Sequence, residues 1–229
     1  MVKPLRETWP QAAIFDFDGL LVDTARCWRL AYATALAAEN RVLNAAHEHS
    51  LAGLSVETAA ARLDLRAEDL RLRLEDAFST EQLPVLPGVR ELLAQFQGRL
   101  RVAIATNAPR KIVLDALRRV ELREAFELVV SAESETREKP APDVYRRVCR
   151  ELSVAPSDAV AFEDSPIGAL SARRAGLAVV YVPSDGQVAN ADIQLERLDD
   201  PQLATFLARR GEAVAGRTTI DTARRLPEV

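Results

Sequence analysis

Acidic residues stand at the ends of two apolar segments of this chain. Asp16 and Asp18 lie two residues apart at the end of the run AAIF, and Glu163 and Asp164 follow the run AVAF. Carboxylates this close together repel one another unless a cation or a positively charged side chain joins them. Such oxygen ligands are those that Mg²⁺ prefers in proteins. Taken alone, either pair could equally be a helix cap beside a solvated acid.

Two further polar features follow apolar segments in the same way. Thr106 and Asn107 end the run RVAIA, and the helix that is predicted to open at Pro109 would present an N-terminus suited to an anion. Lys139 precedes another predicted helix, where its positive charge gains nothing from the helix dipole. Each feature alone could be a simple N-cap or a surface lysine. Together with the acids they predict a Mg²⁺ site beside a phosphate site.

The apolar segments that carry these residues are short and rich in β-branched side chains. Strands are predicted at residues 12–15, 102–105, 128–130, 160–162 and 179–182, and helices at 90–96, 110–120, 143–152 and 167–175. This alternation indicates βαβ units and a parallel sheet covered on both faces. The predicted fold is therefore α/β, with a Rossmann-like doubly wound parallel sheet. Ligands bind such sheets at the carboxyl ends of the strands, where the polar residues stand.

A helical segment interrupts the alternation after the first strand. Leu70, Leu72 and Leu74 alternate as in a strand, but Leu70, Leu74 and Phe78 also follow helical i, i+4 spacing. Good helix formers and the lack of β-branched residues favour the helix. We therefore predict an inserted α-helical cap domain over residues 23–85, between the two parts of a core domain at residues 1–22 and 86–210.

The end of the chain divides in two. The segment ADIQLERLDDPQLATFLARR predicts a short strand and a helix that complete the core. Residues 211–229 have no clear periodicity, and we expect this tail to pack loosely.

Composition excludes several classes of protein. The chain has 229 residues, of which 48% are apolar and 28% charged, and a net charge of −4, which argues against a nucleic-acid partner. No apolar run approaches the ~20 residues that span a bilayer, and no signal-peptide pattern precedes the first strand. Cys27 and Cys149 lack metal-type spacing, as expected in a reducing compartment. We expect a cytoplasmic monomer or weak dimer without a membrane partner.

The sequence resembles the haloacid dehalogenase superfamily of phosphotransferases in four segments. In order along the chain they are FDFDGLLVDT, ATNA, EKPAPDVY and FEDSPIGALSARRAG. The resemblance is closest to the branch that contains β-phosphoglucomutases and small sugar-phosphate phosphatases. It extends over about residues 11–200 and includes the helical insert, which matches the mobile cap of that branch.

The resemblance implies a role for each acid. Asp16 would be the nucleophile that becomes an aspartyl phosphate, and Asp18 would protonate the leaving oxygen and later deprotonate the attacking water. Asp16, Glu163 and Asp164 would supply carboxylate ligands to a Mg²⁺ cofactor, and Asp18 would add its backbone carbonyl. Gly19 would let the chain turn sharply after Asp18.

The resemblance also implies how the phosphate is held. Thr106 would hold a phosphoryl oxygen, and Lys139 would balance the charge between nucleophile and phosphate, so both count as catalytic. Thr106, Asn107 and Lys139 form the implied substrate-binding set. The implied substrate is a small phosphorylated metabolite, because dehalogenases lack an acid at the position of Asp18.

Two activities are compatible with this site, a sugar-phosphate phosphatase and a β-phosphoglucomutase-like mutase. The segment LAGLS at residues 51–55 resembles the LxGxS segment of the mutases. Those enzymes, however, have a lysine where Ala52 stands, an arginine where Val56 stands and a histidine where Trp28 stands. A mutase must hold a second phosphate at the cap, so the phosphatase is favoured and the mutase is the alternative. Trp28 is equally compatible with contacting substrate and with packing inside the cap.

Overall fold

A computed structural model of the chain describes residues 9–134, 137–184 and 187–210. The predicted tail, residues 211–229, lies outside the described residues. The strands are β1 (Ala12–Phe15), β2 (Arg101–Thr106), β3 (Leu128–Ser131), β4 (Ala159–Glu163), β5 (Ala178–Tyr181) and β6 (Ile193–Gln194). The helices are α1 (Ala25–Ala38), α2 (Ala45–Leu51), α3 (Val56–Leu63), α4 (Ala67–Thr80), α5 (Val89–Phe96), α6 (Arg110–Arg119), α7 (Asp143–Glu151), α8 (Pro166–Ala175) and α9 (residues 202–210).

The six described strands form one parallel sheet in the order β3-β2-β1-β4-β5-β6. Their side chains alternate between two apolar clusters, because successive residues of a strand point to opposite faces. Phe15 belongs to the cluster covered by α5, α6 and α9, where its ring stacks on Phe162 at 4.4 Å between centroids. Ile14 belongs to the cluster covered by α7 and α8. The predicted doubly wound α/β fold is confirmed.

The segment between β1 and α5 is helical, as predicted, and contains α1 to α4. Leu70, Leu74 and Phe78 are buried on α4 and Leu72 is 60% exposed, so the helical spacing, not the strand-like alternation, describes this segment. The helices α3 and α4 are separate because Asp64 ends α3 in the left-handed conformation, with φ of 53°. None of the described helices has the length and apolar composition needed to cross a membrane.

The chain leaves the sheet and returns to it at two neighbouring points. Val22 forms an antiparallel bridge with Val85, and the backbone N–H of Asp23 donates to the carbonyl of Pro84 at 2.8 Å. The N–H of Leu86 donates to the carbonyl of Leu21 at 3.0 Å. The helical insert is thus attached by a pair of adjacent segments. Its division from the core as a cap domain, residues 23–85, stays a prediction.

Candidate active site

Parallel pairing places the polar ends of three strands side by side. Phe15 of β1 pairs with Ile104 of β2 on one side and with Phe162 of β4 on the other. Asp16 follows β1 directly. Its backbone N–H donates a hydrogen bond of 2.9 Å to the carbonyl of Phe162 in β4. The register therefore sets Asp16 level with Glu163, the last residue of β4, and one position before Thr106, the last residue of β2.

Three carboxylates and one ammonium group meet at this edge of the sheet. Asp16, Glu163 and Asp164 each offer an oxygen atom within 4.8 Å of the others, and all three are buried. The Nζ atom of Lys139 donates to Oδ1 of Asp16 at 2.8 Å and to Oε1 of Glu163 at 2.6 Å. One lysine leaves these buried acids with a surplus of negative charge. The oxygen-only donor set and this surplus both fit a divalent cation such as Mg²⁺.

Burial governs the protonation of these groups. Burial raises the pKa of Asp164 well above its usual range, and the neighbouring Asp16 and Glu163 raise it further. Burial also raises the pKa of Glu163, to about 7, although Lys139 opposes this shift. Burial alone would lower the pKa of Lys139, but the attraction of Asp16 and Glu163 outweighs it and raises the pKa overall. Lys139 is therefore a permanent positive charge at this site.

Glu163 is bound by protein donors on both carboxylate oxygens. Oε1 accepts from Lys139 and from the hydroxyl of Tyr145 at 2.5 Å, and Oε2 accepts from the hydroxyl of Ser165 at 3.3 Å. The structure thus gives Glu163 a clear part in holding the lysine, whereas its part as a Mg²⁺ ligand stays a prediction. Tyr145 was not among the residues predicted from sequence. Its place on the buried face of the amphipathic α7 is the signal that could have found it.

Asp18 lies apart from the three clustered carboxylates and is held from the helical insert. Its Oδ1 atom accepts from the hydroxyl of Thr24 at 2.6 Å and from the indole N–H of Trp28 at 2.9 Å. Burial, followed by the negative charge of Asp16, raises the pKa of Asp18 to about 6. This carboxyl group can therefore hold or release a proton near neutral pH. Trp28, whose role the sequence left open, contacts the predicted acid itself.

Thr106 and Asn107 are buried at the carboxyl end of β2, but their side chains have different partners. The Thr106 hydroxyl oxygen accepts from the N–H of Ala108 at 3.0 Å, which leaves its hydrogen to donate elsewhere. The Asn107 amide donates to the carbonyl of Gly53 at 2.8 Å and accepts from the N–H of Lys139 at 3.0 Å. Asn107 thus ties the insert to the loop that carries the lysine. Substrate binding by Asn107 stays a prediction.

Gly19 is required for two reasons, of which the sequence indicated one. Its φ of +69° is the predicted sharp turn after Asp18, in a region of backbone conformation that favours glycine. In addition, a Cβ atom at this position would lie 2.3 Å from Oδ2 of Asp164. Any side chain at Gly19 would therefore displace the carboxylate of Asp164.

Comparison with known proteins gives consistent matches over most of the chain. A family model described as haloacid dehalogenase-like hydrolase matches residues 13–182. A phosphorylated carbohydrates phosphatase from Thermotoga maritima is 31% identical over 75% of this chain and 84% of its own length. Hexitol phosphatase B from Escherichia coli is 30% identical over 82% of this chain and 93% of its own length.

Similarity extends to solved structures. A mutant of CbbY from Rhodobacter sphaeroides, solved in complex with xylulose-(1,5)bisphosphate, superposes with a TM-score of 0.75 at 26% identity. The match covers 83% of this chain and 96% of the CbbY chain.

Proposed function

The chain belongs to the haloacid dehalogenase-like hydrolase family and is an enzyme of the phosphoric monoester hydrolase class, and on this premise we propose that it is a Mg²⁺-dependent phosphatase of a phosphorylated carbohydrate. The enzyme would react through an aspartyl phosphate on Asp16. The observation that carries the proposal is the buried contact of Asp16 with Lys139, at 2.8 Å, next to a second acid of raised pKa.

In the first step Asp16 takes the phosphoryl group. A carboxylate oxygen of Asp16 forms a bond to phosphorus while the bond from phosphorus to the sugar oxygen breaks. The departing oxygen takes a proton from the carboxyl group of Asp18 and leaves as the free alcohol. Lys139 and the Thr106 hydroxyl donate to the negative oxygens around the phosphorus. The pKa of Asp18, about 6, supports its part as an acid.

In the second step water removes the phosphoryl group from Asp16. The water oxygen forms a bond to phosphorus, and the bond between phosphorus and Asp16 breaks. Asp18, left as a carboxylate by the first step, takes the proton of this water. Inorganic phosphate leaves, and both carboxyl groups return to their starting states. One molecule of ester and one of water thus yield one alcohol and one phosphate.

Asp16 and Asp164 would hold the metal ion, with Glu163 as a further candidate and the backbone carbonyl of Asp18 nearby. When bound, Mg²⁺ would reduce the repulsion between the anionic nucleophile and the anionic phosphate. Lys139 would reduce the same repulsion, because it is bound to Asp16 and Glu163 and stays protonated.

The face of the insert supports hydrolysis over phosphate transfer between sugar positions. Val56, at the position of the mutase arginine, is fully buried, and Ala52 carries no charge. Three arginines could replace the missing cations, but each has another partner. Arg26 pairs with Glu81, Arg29 pairs with Glu48, and Arg62 donates to the carbonyl of Ser50. A second phosphate would have to compete with these partners.

The carbohydrate class of substrate rests on the relatives. One relative is named as a phosphatase of phosphorylated carbohydrates and another as a hexitol phosphatase, and the CbbY mutant was solved with a sugar bisphosphate. We propose that the helical insert closes over such a substrate about residues 22–25 and 83–87, which excludes bulk water while Asp16 attacks the phosphorus. The adjacent crossings of the chain at Val22 and Val85 support this movement.

The proposed location is the cytoplasm. Both cysteines, Cys27 and Cys149, are free and buried, which suits a reducing compartment. The absence of a nucleic-acid partner and the monomeric or weakly dimeric state stay predictions from the sequence.

The test is a panel of phosphate esters with Mg²⁺ that includes hexitol phosphates, xylulose 1,5-bisphosphate and β-glucose 1-phosphate. We expect inorganic phosphate from at least one sugar or hexitol phosphate. Acid quenching with ³²P-labelled substrate should trap label on the protein that hydroxylamine releases, as an acyl phosphate requires. Rapid conversion of β-glucose 1-phosphate to glucose 6-phosphate without phosphate release would instead establish the mutase.

A further inference from the structure

We propose that Trp28 is a positioning residue for the proton transfers of Asp18, because its indole N–H holds one carboxyl oxygen and leaves the other to exchange a proton with substrate and water. The inference rests on the proposed function, in which Asp18 is the acid and the base. It assigns a part to a side chain that lies on α1, outside the sheet edge.

Two donors converge on a single oxygen of Asp18. The indole nitrogen of Trp28 lies 2.9 Å from Oδ1, and the hydroxyl oxygen of Thr24 lies 2.6 Å from the same atom. Within the described part of the chain, no hydrogen bond reaches Oδ2. Two bonds to Oδ1 fix the rotation of the carboxyl group about its Cβ–Cγ bond. Oδ2 is therefore the oxygen whose position is set and whose lone pairs are available.

The helix α1 presents both donors from one face. Trp28 follows Thr24 by one helical turn, and its backbone N–H donates to the Thr24 carbonyl at 3.1 Å. Thr24 is the N-cap residue of α1, yet its side chain makes no capping bond and is turned to Asp18 instead. The indole ring packs against Tyr32, one further turn along, with 5.7 Å between ring centroids. This packing limits the orientations of the indole.

The two donors are not chemically equivalent. A threonine hydroxyl can donate or accept and rotates freely, whereas an indole N–H can only donate and its direction is fixed by the ring. The oxygen that faces the indole must therefore be an acceptor in every state of the reaction. Oδ1 satisfies this requirement both when Asp18 is a carboxylate and when its proton is on Oδ2. Trp28 thus keeps the proton-carrying oxygen the same in both steps.

This arrangement predicts an effect that depends on the leaving group. A sugar alkoxide needs a proton as its bond to phosphorus breaks, whereas p-nitrophenolate leaves readily without one. A misdirected Asp18 should therefore slow the first step for a sugar phosphate far more than for p-nitrophenyl phosphate. Loss of packing in the insert would slow both substrates alike or weaken binding.

The experiment measures the single-turnover rate of the first step by rapid quench for both substrates, so that the second step does not contribute. Trp28→Phe removes the N–H but keeps an aromatic ring, and Trp28→His keeps a ring N–H donor. We expect Trp28→Phe to slow the first step with the sugar phosphate by about 10-fold or more and with p-nitrophenyl phosphate by less than about 3-fold. Trp28→His should recover most of the loss.

A contact measurement checks the proposal without activity. The chain has two tryptophans, so the indole N–H signals of Trp28 and Trp9 can be separated by NMR. In Asp18→Ala the Trp28 signal should shift while the Trp9 signal, from a ring packed on Phe96, stays in place. An unmoved Trp28 signal, or equal slowing of both substrates in Trp28→Phe, would overturn the positioning role. If the wild-type protein forms no phosphoenzyme at all, the proposed function itself fails, and this inference fails with it.

Discussion

The carboxyl edge of the sheet and the helical insert above it hold their charges in opposite ways. At the edge, Lys139 and Glu163 are buried and bound to each other at 2.6 Å. Between insert and core, Arg71 of α4 forms an ion pair with Glu133, which follows β3. The Nζ atom of Lys111 on α6 lies 3.1 Å from Oε2 of Glu75, and the Lys111 side chain is 70% exposed. The edge is a fixed charge cluster, whereas the insert is attached partly by solvated ion pairs.

The difference indicates how the work of the site is divided. Buried charges that satisfy one another cannot move apart without a large cost, so the sheet fixes the nucleophile and its lysine. Exposed ion pairs contribute little and exchange readily with water, so they allow the insert to move. The insert still reaches the chemistry through the indole of Trp28 on Asp18 and the carbonyl of Gly53, which accepts from Asn107.

Breaking the nucleophile should have the largest effect. Asp16→Asn should lower turnover by about 10³-fold or more, because the amide cannot form the covalent intermediate. Phosphate release and acid-quench labelling measure this, and circular dichroism verifies the fold. Asp76→Asn is the matched control, since Asp76 is exposed on α4 and lies outside both proposed hinge segments. Near-wild-type turnover by Asp16→Asn would rule out the covalent mechanism.

Removing the lysine tests whether the edge is a single charge unit. Lys139→Met should abolish most activity and destabilise the fold by about 3 kcal/mol, because buried Asp16 and Glu163 lose their shared cation. The free energy of unfolding in urea measures this. Added Mg²⁺ should restore part of the stability but not the activity. A variant as stable as the wild type in the absence of metal would contradict the charge cluster.

Metal and pH should act on stability with a defined sign. Burial raises the pKa of Asp18 to about 6 and of Glu163 to about 7, and it raises that of Asp164 well above its usual range. The metal-free folded protein therefore binds more protons than the unfolded chain between about pH 4 and 7, and these groups make it less stable as pH rises through that window. The raised pKa of Lys139 adds stability that is present throughout it.

Mg²⁺ should relieve the repulsion that appears as these protons leave. At 100 times its dissociation constant, a ligand of the folded state adds about 2.7 kcal/mol. For a chain of this size that corresponds to about 5–10 °C in melting temperature. Differential scanning fluorimetry should show a larger gain at pH 8 than at pH 5.5, reversed by EDTA and much reduced in Asp164→Asn. An equal gain at both pH values would count against a shared proton and metal site.

The smallest effect is expected where the insert meets the core through solvent. Lys111→Met removes the exposed pair with Glu75, and it should leave the melting temperature and turnover close to those of the wild type. It is the matched counterpart of Lys139→Met, with the same change made at an exposed lysine. A loss of activity comparable to that of Lys139→Met would mean that the two regions do not differ as described.

The sequence by itself determined the sheet and the residues at its edge. A period of two in the strands and of 3.6 in the helices is a local property, so strand order along the chain and the helical insert could be predicted from neighbouring residues. The ends of parallel strands must lie at one edge, which assigned Asp16, Thr106, Glu163 and Asp164 to one region before any contact was known. The sequence left open whether Trp28 contacts substrate or packs inside the cap, because periodicity does not distinguish these two roles.

The tertiary structure decided which of these side chains bind one another. Lys139 is 123 residues from Asp16, and their contact depends on how the loop before α7 packs on the sheet. Tyr145 reaches Glu163 from the buried face of that helix, and the break at Asp64 depends on a single left-handed residue. The indole of Trp28 meets Asp18 because α1 is docked over the strand ends. Packing between distant parts of the fold decides which side chains contact one another, and the local pattern of the sequence does not give this information.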